Sequence, residues 1–262
     1  MPNSRLPSML LTCYNSEKHG SVNHTLSKYL LEHIDAIEDL NIKDLADACF
    51  MSPSTVSRFC KSLGLSDFNE LKQEFYTIDY YRDQKFAKPE LIEEDFLLNI
   101  SKEIIDLHQH LDYSKLNQLV EDLYNYKKVA VFGSMQSYSA ALYLQTELYV
   151  SRKIVCCKES QKNQLAYYKE ATDENLIIIF SATGSYFNLI FERKSHIPYL
   201  KKPKVWVITY NPHLKIENPD IDELIFVKND EITYANHPLK FSLIANMIAG
   251  MYAKYCLKKE QE

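Results

Sequence analysis

The sequence predicts two domains of different class: an all-α N-terminal domain, then an α/β C-terminal domain with a parallel sheet of about five strands flanked by helices. Three observations carry this. Asn41 to Phe75 hold two short apolar stripes at helical spacing, joined by a tight turn. From Lys127 onward, short apolar runs alternate with helical stretches, the pattern of a parallel sheet covered on both faces. Between them, residues 77–89 lose all periodicity and read as a linker. The division is therefore 1–76, linker 77–89, and 90–262.

In the first domain, Val22, Leu26, Tyr29, Leu30, Ile34 and Ile37 predict an amphipathic helix. Asn41 can cap the next helix, with Asp44 three residues on as the capping-box acid. Ile42, Leu45, Ala46 and Cys49 form its apolar stripe. Ser52 is placed to cap a further helix with Pro53 at its first position, where a missing N–H costs nothing. Val56, Phe59, Cys60 and Leu63 fall on one side of that helix. Phe68, Leu71 and Phe75 continue as a helix after Gly64.

The other side of the Ser52 helix is the more informative. Ser54, Ser57, Arg58 and Lys61 line it, Thr55 flanks it, and Ser54 to Leu63 contain no acid. Short hydroxyls at a helix start permit close approach to base edges, and an arginine can pair bidentately with guanine. Ser52, Ser54, Thr55, Ser57, Arg58 and Lys61 are thus candidate contacts to a double-stranded DNA operator. The competing reading is a surface helix with a solvated charged face. Net charge is −5 overall, and Met1 to Tyr76 hold seven Lys or Arg against ten acids. Affinity for DNA must then come from the local stripe and from pairing of subunits, a homodimer or homotetramer, rather than from bulk charge.

In the second domain, Pro89 opens a helical pattern over Leu91 to Leu111. The strand candidates are Val129–Phe132, Ile154–Cys157, Leu176–Phe180, Val205–Thr209 and Leu224–Val227, with a closing helix over Pro238 to Leu257. Ligands of open α/β sheets bind beyond the carboxyl ends of the strands, where strand order reverses. Three loops lie there: Gly133 to Ser137, Ser181 to Ser185, and Thr209 to Pro212. Their hydroxyls and backbone N–H groups can seat a phosphate without a lysine. Ordinary strand-to-helix turns contain the same residue types.

Composition excludes several classes. The six cysteines lack CxxC spacing, which fits a reducing cytoplasm without structural disulfides. His108 and His110 sit two apart on a helix and cannot easily share a metal, so neither metal nor cofactor is implied. No run approaches a membrane span, and no membrane partner is expected.

The stretch SPSTVSRFCKSLGLSDFNELK resembles the DNA-binding segment of the RpiR family of bacterial sugar-responsive regulators, which includes the MurR type. Such proteins join a helix-turn-helix domain to a sugar-isomerase-like (SIS) domain, so the resemblance implies a flavodoxin-like sheet, phosphosugar sensing and transcription regulation. The family's turn residue is often glycine; here it is Phe50, which is strained if positive φ is required. The strand-end loops are similar to the two SIS signature loops. Ser137 falls on the phosphate-contacting serine, and SATGSY keeps Ser181, Thr183 and Gly184 of the second loop. Met135 stands where a second glycine is common, and Ser185 and Tyr186 replace the usual Glu and Thr. Ser134, Ser137, Ser181, Thr183, Gly184 and Ser185 are the effector-binding candidates.

An isomerase-like enzyme is the competing class, and an SIS domain used only for oligomerisation is a third. Proton transfer beside a carbonyl needs a positioned base. Ser185 cannot serve, and nothing marks Glu159, Glu170, His213 or His237 for that role. The expectation is a non-enzyme with no catalytic residue.

Overall fold

The computed structural model describes residues 6–33, 36–37, 39–73, 96–134, 136–159, 161–182, 184, 202–214, 221–228 and 237–262. The chain forms two compact units, residues 1–89 and 90–262. The expected linker, 77–89, lies outside the described residues.

The first unit is helical: α1 (Leu6–Ser16), α2 (Val22–Glu32), α3 (Ile42–Ala48), α4 (Pro53–Ser62) and α5 (68–73). Helix α1 has no counterpart among the sequence expectations, yet its Leu6 and Leu10 are fully buried. Helix α2 stops five residues short of Ile37. His33 takes φ −120°, stacks on Tyr29 at 4.1 Å, and sets Nδ1 2.9 Å from the Tyr29 carbonyl oxygen. Ile37 is nonetheless buried, so its apolar position was read correctly and its helicity was not. Leu26, Leu30, Leu45, Val56, Phe59 and Leu71 complete one core.

The second unit begins with α6 (Phe96–His110) and α7 (Tyr113–Asn125). Residues 91–95 of the expected helix lie outside the described residues. Strands β1 (Lys128–Gly133), β2 (Cys156–Cys157), β3 (Asn175–Ser181), β4 (Lys204–Thr209) and β5 (Glu223–Phe226) form one sheet in the order β2-β1-β3-β4-β5. Every pairing is parallel, the flavodoxin-like arrangement. Helices α8 (Gln136–Val150), α9 (Gln161–Glu170) and α10 (His237–Lys259) complete the unit.

Period-2 alternation divides the strand residues between two apolar layers. Val129, Val131, Ile178, Phe180, Trp206 and Ile208 pack with residues of α7, α8 and α10. Ala130, Phe132, Ile177, Ile179, Val205 and Val207 face Tyr168 and Leu214. Strands buried on both faces explain the unbroken apolar runs. β2 is shorter than expected: Ile154 is 77% exposed and lies outside the ladder.

Candidate nucleic-acid interface and ligand loops

Helix α3 starts with the full capping box. The Asn41 carboxamide oxygen accepts from the N–H groups of Lys43 (2.8 Å) and Asp44 (3.0 Å), and Asp44 accepts from the Asn41 N–H at 3.1 Å. At its other end the Phe50 N–H donates to the Asp47 carbonyl and the Met51 N–H to the Ala46 carbonyl. That pair of bonds is a Schellman motif. It puts Phe50 at φ +57°, the positive φ that the sequence raised as a condition. A residue with a Cβ is disfavoured there by about 1–2 kcal/mol.

Helix α4 then starts from Ser52, whose hydroxyl accepts from the Thr55 N–H at 3.2 Å. The same hydroxyl lies 2.8 Å from that of Ser54 and 2.9 Å from that of Thr55. Val56, Phe59 and Cys60 fix the buried face, and burial pushes the Cys60 thiol up to about 11. Leu63 is only half-buried. On the opposite face Ser52, Ser54, Arg58 and Lys61 are exposed, while Thr55 and Ser57 are half-buried. Arg58 Nη2 donates to Thr55 Oγ1 at 3.3 Å. Among the described residues, neither Arg58 nor Lys61 forms an ion pair with a carboxylate. Thr55 therefore orients Arg58, a role its flanking position in the sequence did not reveal. Gly64 ends the helix at φ +88° in a second Schellman motif.

In the α/β unit, strand order reverses between β1 and β3. Gly133 is in register with Phe180, so Ser134 and Ser181 emerge side by side at the carboxyl ends. Helix α8 begins at Gln136, two residues before the expected Tyr138, because the Ser137 N–H bonds the Ser134 carbonyl at 3.0 Å. The turn is so tight that a Cβ on Gly133 would lie 2.5 Å from the Ser137 carbonyl oxygen. Ser137 and Ser181 are buried, and Ser134 is half-buried. Ser181 Oγ accepts from the Gly184 N–H at 3.2 Å. Gly184 has φ +84°, and a Cβ there would meet the Leu214 side chain at 2.4 Å. The structure thus brings Ser134, Ser137, Ser181 and Gly184 to one end of the sheet; Met135, Thr183, Ser185 and Tyr186 lie outside the described residues.

The third loop is tied to the second. The Tyr210 N–H donates to the Ala182 carbonyl at 3.2 Å, and the Thr209 hydroxyl donates to the same oxygen at 3.4 Å. Gln164 is fully buried; its Nε2 donates to the carbonyls of Gly133 (2.8 Å) and Lys158 (2.6 Å), joining the β1 and β2 ends. No sequence signal pointed to Gln164, since a glutamine on a polar helix ordinarily faces water. Tyr138 is raised to about 12 by burial, then by the charges of Cys157 and Glu159 and a hydrogen bond with Cys157. Tyr210 is raised further by burial and by the nearby Glu103 carboxylate. Both phenols stay protonated at neutral pH, so the loops present neutral hydroxyls and N–H groups.

The same end of the sheet carries buried charge from α6. Lys240, 1% exposed, pairs with Glu103 and donates to the Lys228 carbonyl at 2.9 Å. Lys228 pairs with Asp106 at 2.8 Å, and Asp106 lies 3.1 Å from His110. Phe241, next to Lys240, stacks on Tyr210 at 4.6 Å. Sequence reading missed the Lys240–Glu103 and Lys228–Asp106 pairs because their members are over a hundred residues apart.

Comparison with known proteins places this geometry. A family model described as a helix-turn-helix domain, rpiR family, matches residues 14–78. An uncharacterised HTH-type transcriptional regulator of Caldanaerobacter subterraneus is 25% identical over 116 residues, 41% of this chain and 41% of that protein. The HTH-type transcriptional regulator HexR of Pseudomonas aeruginosa is 25% identical over 166 residues, 61% of this chain and 58% of its own length. The chain thus spans about two fifths and three fifths of these two relatives. Among solved structures, Vibrio vulnificus NanR, complexed with ManNAc-6P, is 15% identical with a TM-score of 0.49, covering 97% of this chain and 92% of that one. The sugar isomerase domain of an RpiR transcription factor from Sphaerobacter thermophilus is 13% identical with a TM-score of 0.47, covering 64% and 99%. Among the described residues no helix is long and apolar enough to cross a membrane. With its capped helices, its tight turn and its exposed basic stripe, the N-terminal part of this chain is a helix-turn-helix domain of the rpiR family.

Proposed function

We propose that the chain is a DNA-binding transcriptional regulator of sugar or amino-sugar metabolism, acting as a homodimer or homotetramer on a pseudo-palindromic operator. The observation that carries this reading is the α4 stripe: Arg58 and Lys61 in water, without carboxylate partners among the described residues, on a helix held rigidly by Val56 and Phe59. Arg58, oriented by Thr55, is assigned to a guanine edge. Ser52, Ser54 and Ser57, near the helix start, are assigned to phosphates or base edges, and Lys61 to a phosphate.

The effector is a phosphorylated sugar bound at the switch point. Ser134, Ser137, Ser181 and Gly184 supply its seat, and Thr183 and Ser185 belong to the same loop by sequence. Neutral hydroxyls and helix-start N–H groups suit a phosphate dianion. Helix α6 directly follows the segment that leads from the DNA-binding unit, and its Glu103 and Asp106 hold Lys240 and Lys228. An anion arriving at this end of the sheet competes with those carboxylates for the lysines, which couples ligand state to α6. The coupling extends only as far as effector affinity differs between the two states.

A thermal-shift screen of phosphorylated sugars tests the effector reading. A true ligand at 100 times its dissociation constant adds about 2.7 kcal/mol of stability. Ser137→Ala and Ser181→Ala should abolish the shift. A screen without any shift leaves the C-terminal domain an oligomerisation module.

A further inference from the structure

Three helices in the described residues end in the same Schellman geometry, with the residue after the C-cap in the left-handed region. Helix α4 uses Gly64 (φ +88°), α8 uses Arg152 (φ +58°) and α3 uses Phe50 (φ +57°). Glycine takes this conformation without penalty. Arg152 bears the strain with its charged side chain in water, but Phe50 bears it with an aromatic ring that is 98% exposed. No other large apolar side chain among the described residues is so fully in water; the next, Val150, is 79% exposed.

The fold gains nothing from this ring. The apolar closure of the motif comes from the next residue, Met51, which packs against the N-terminal core. Backbone strain that contributes nothing to packing concentrates at binding sites. The position of Phe50 matters too: it stands two residues before Ser52, the N-cap of α4, on the turn that feeds the basic helix. The exposed ring and the exposed first turn of α4 are thus neighbours along the chain.

We infer that Phe50 is a specificity-determining DNA contact, its ring packing on the C5-methyl group of a thymine beside the bases read by α4. This inference rests on the DNA-binding reading of α4. In the major groove the thymine methyl is the apolar group among hydrogen-bonding edges, and an apolar side chain is what distinguishes it. Covering the ring on binding removes its exposure from water, which no contact among the described residues does.

The test uses the full chain and a duplex enriched by the wild-type protein from a randomised library. Phe50→Gly should raise the unfolding temperature by roughly 4 °C, because the strain is relieved. The same variant should bind the enriched duplex about tenfold more weakly. Replacing one thymine of each half-site by deoxyuridine, which lacks only the methyl, should weaken the wild type by a similar factor and leave Phe50→Gly unaffected. Should Phe50→Gly gain stability with no loss of affinity while Arg58→Ala loses it, the Phe50 contact is wrong and the α4 reading stands. A loss with Phe50→Gly that no deoxyuridine position reproduces also overturns the thymine contact. If the wild type enriches no duplex at all, both fall together.

Discussion

The ammonium of Lys240, at the first turn of α10, is buried against the carboxylate of Glu103 on α6. The pair locks the helix that enters the α/β unit to the helix that closes it. Removing one partner of a buried pair is far more damaging than replacing both with apolar groups. Glu103→Ala should therefore destabilise the unit on the order of 3 kcal/mol, measured by urea denaturation. Glu103→Leu combined with Lys240→Met should recover much of that loss. Equal losses in single and double variants would show that the pair is not the cause.

Asp106 extends this network and makes it acid-sensitive. A hydrogen bond from Lys228 holds its carboxyl below the ordinary value of 3.8, against the opposing effect of burial. A group depressed by folding contributes stability above its unfolded pKa and loses it as pH falls through the folded one. The contribution is complete at neutral pH and is lost progressively as pH falls from about 4 through the lowered folded value. Asp106→Asn should lower stability at pH 7 and flatten the acid limb of a stability–pH curve. An unchanged acid limb would remove Asp106 from the account.

Gly184 is demanded twice, by φ +84° and by Leu214 at 2.4 Å from any added Cβ. Gly184→Ala should destabilise by at least about 1 kcal/mol from the backbone alone. It should also weaken any phosphosugar-induced thermal shift more than Gly250→Ala, since a Cβ on Gly250 meets nothing within 4 Å.

The caps of the N-terminal unit give a further prediction. Asn41→Ala removes the carboxamide oxygen that accepts from the Lys43 and Asp44 N–H groups, and Ser52→Ala frees the Thr55 N–H. Each should destabilise by about 1 kcal/mol in thermal unfolding. Cys60, buried and raised to about 11, should react with a thiol reagent at pH 8 only after unfolding.

Local signals were the legible ones. Asn41 with Asp44, Ser52 with Pro53, and the Val56–Phe59–Cys60 stripe each lie within one or two helical turns, and each appears as expected. The strands were legible because burial on both faces leaves unbroken apolar runs. Helix α1 was missed: its apolar residues pack on a partner helix that periodicity alone does not identify. The Lys240–Glu103 pair, the Lys228–Asp106 pair and the buried Gln164 were invisible, since their partners lie far off in sequence or on backbone carbonyls. Phe50 was flagged only as a condition on the turn; its exposure needed coordinates.

The central claim is that α4 reads DNA through Arg58. The direct measurement is the affinity of wild type and Arg58→Ala for an enriched duplex and for variants substituted one base pair at a time. The account predicts a loss of roughly 1–3 kcal/mol per half-site with Arg58→Ala, together with lost discrimination at one guanine. Arg58→Ala binding as tightly as wild type, with base preferences intact, would contradict it.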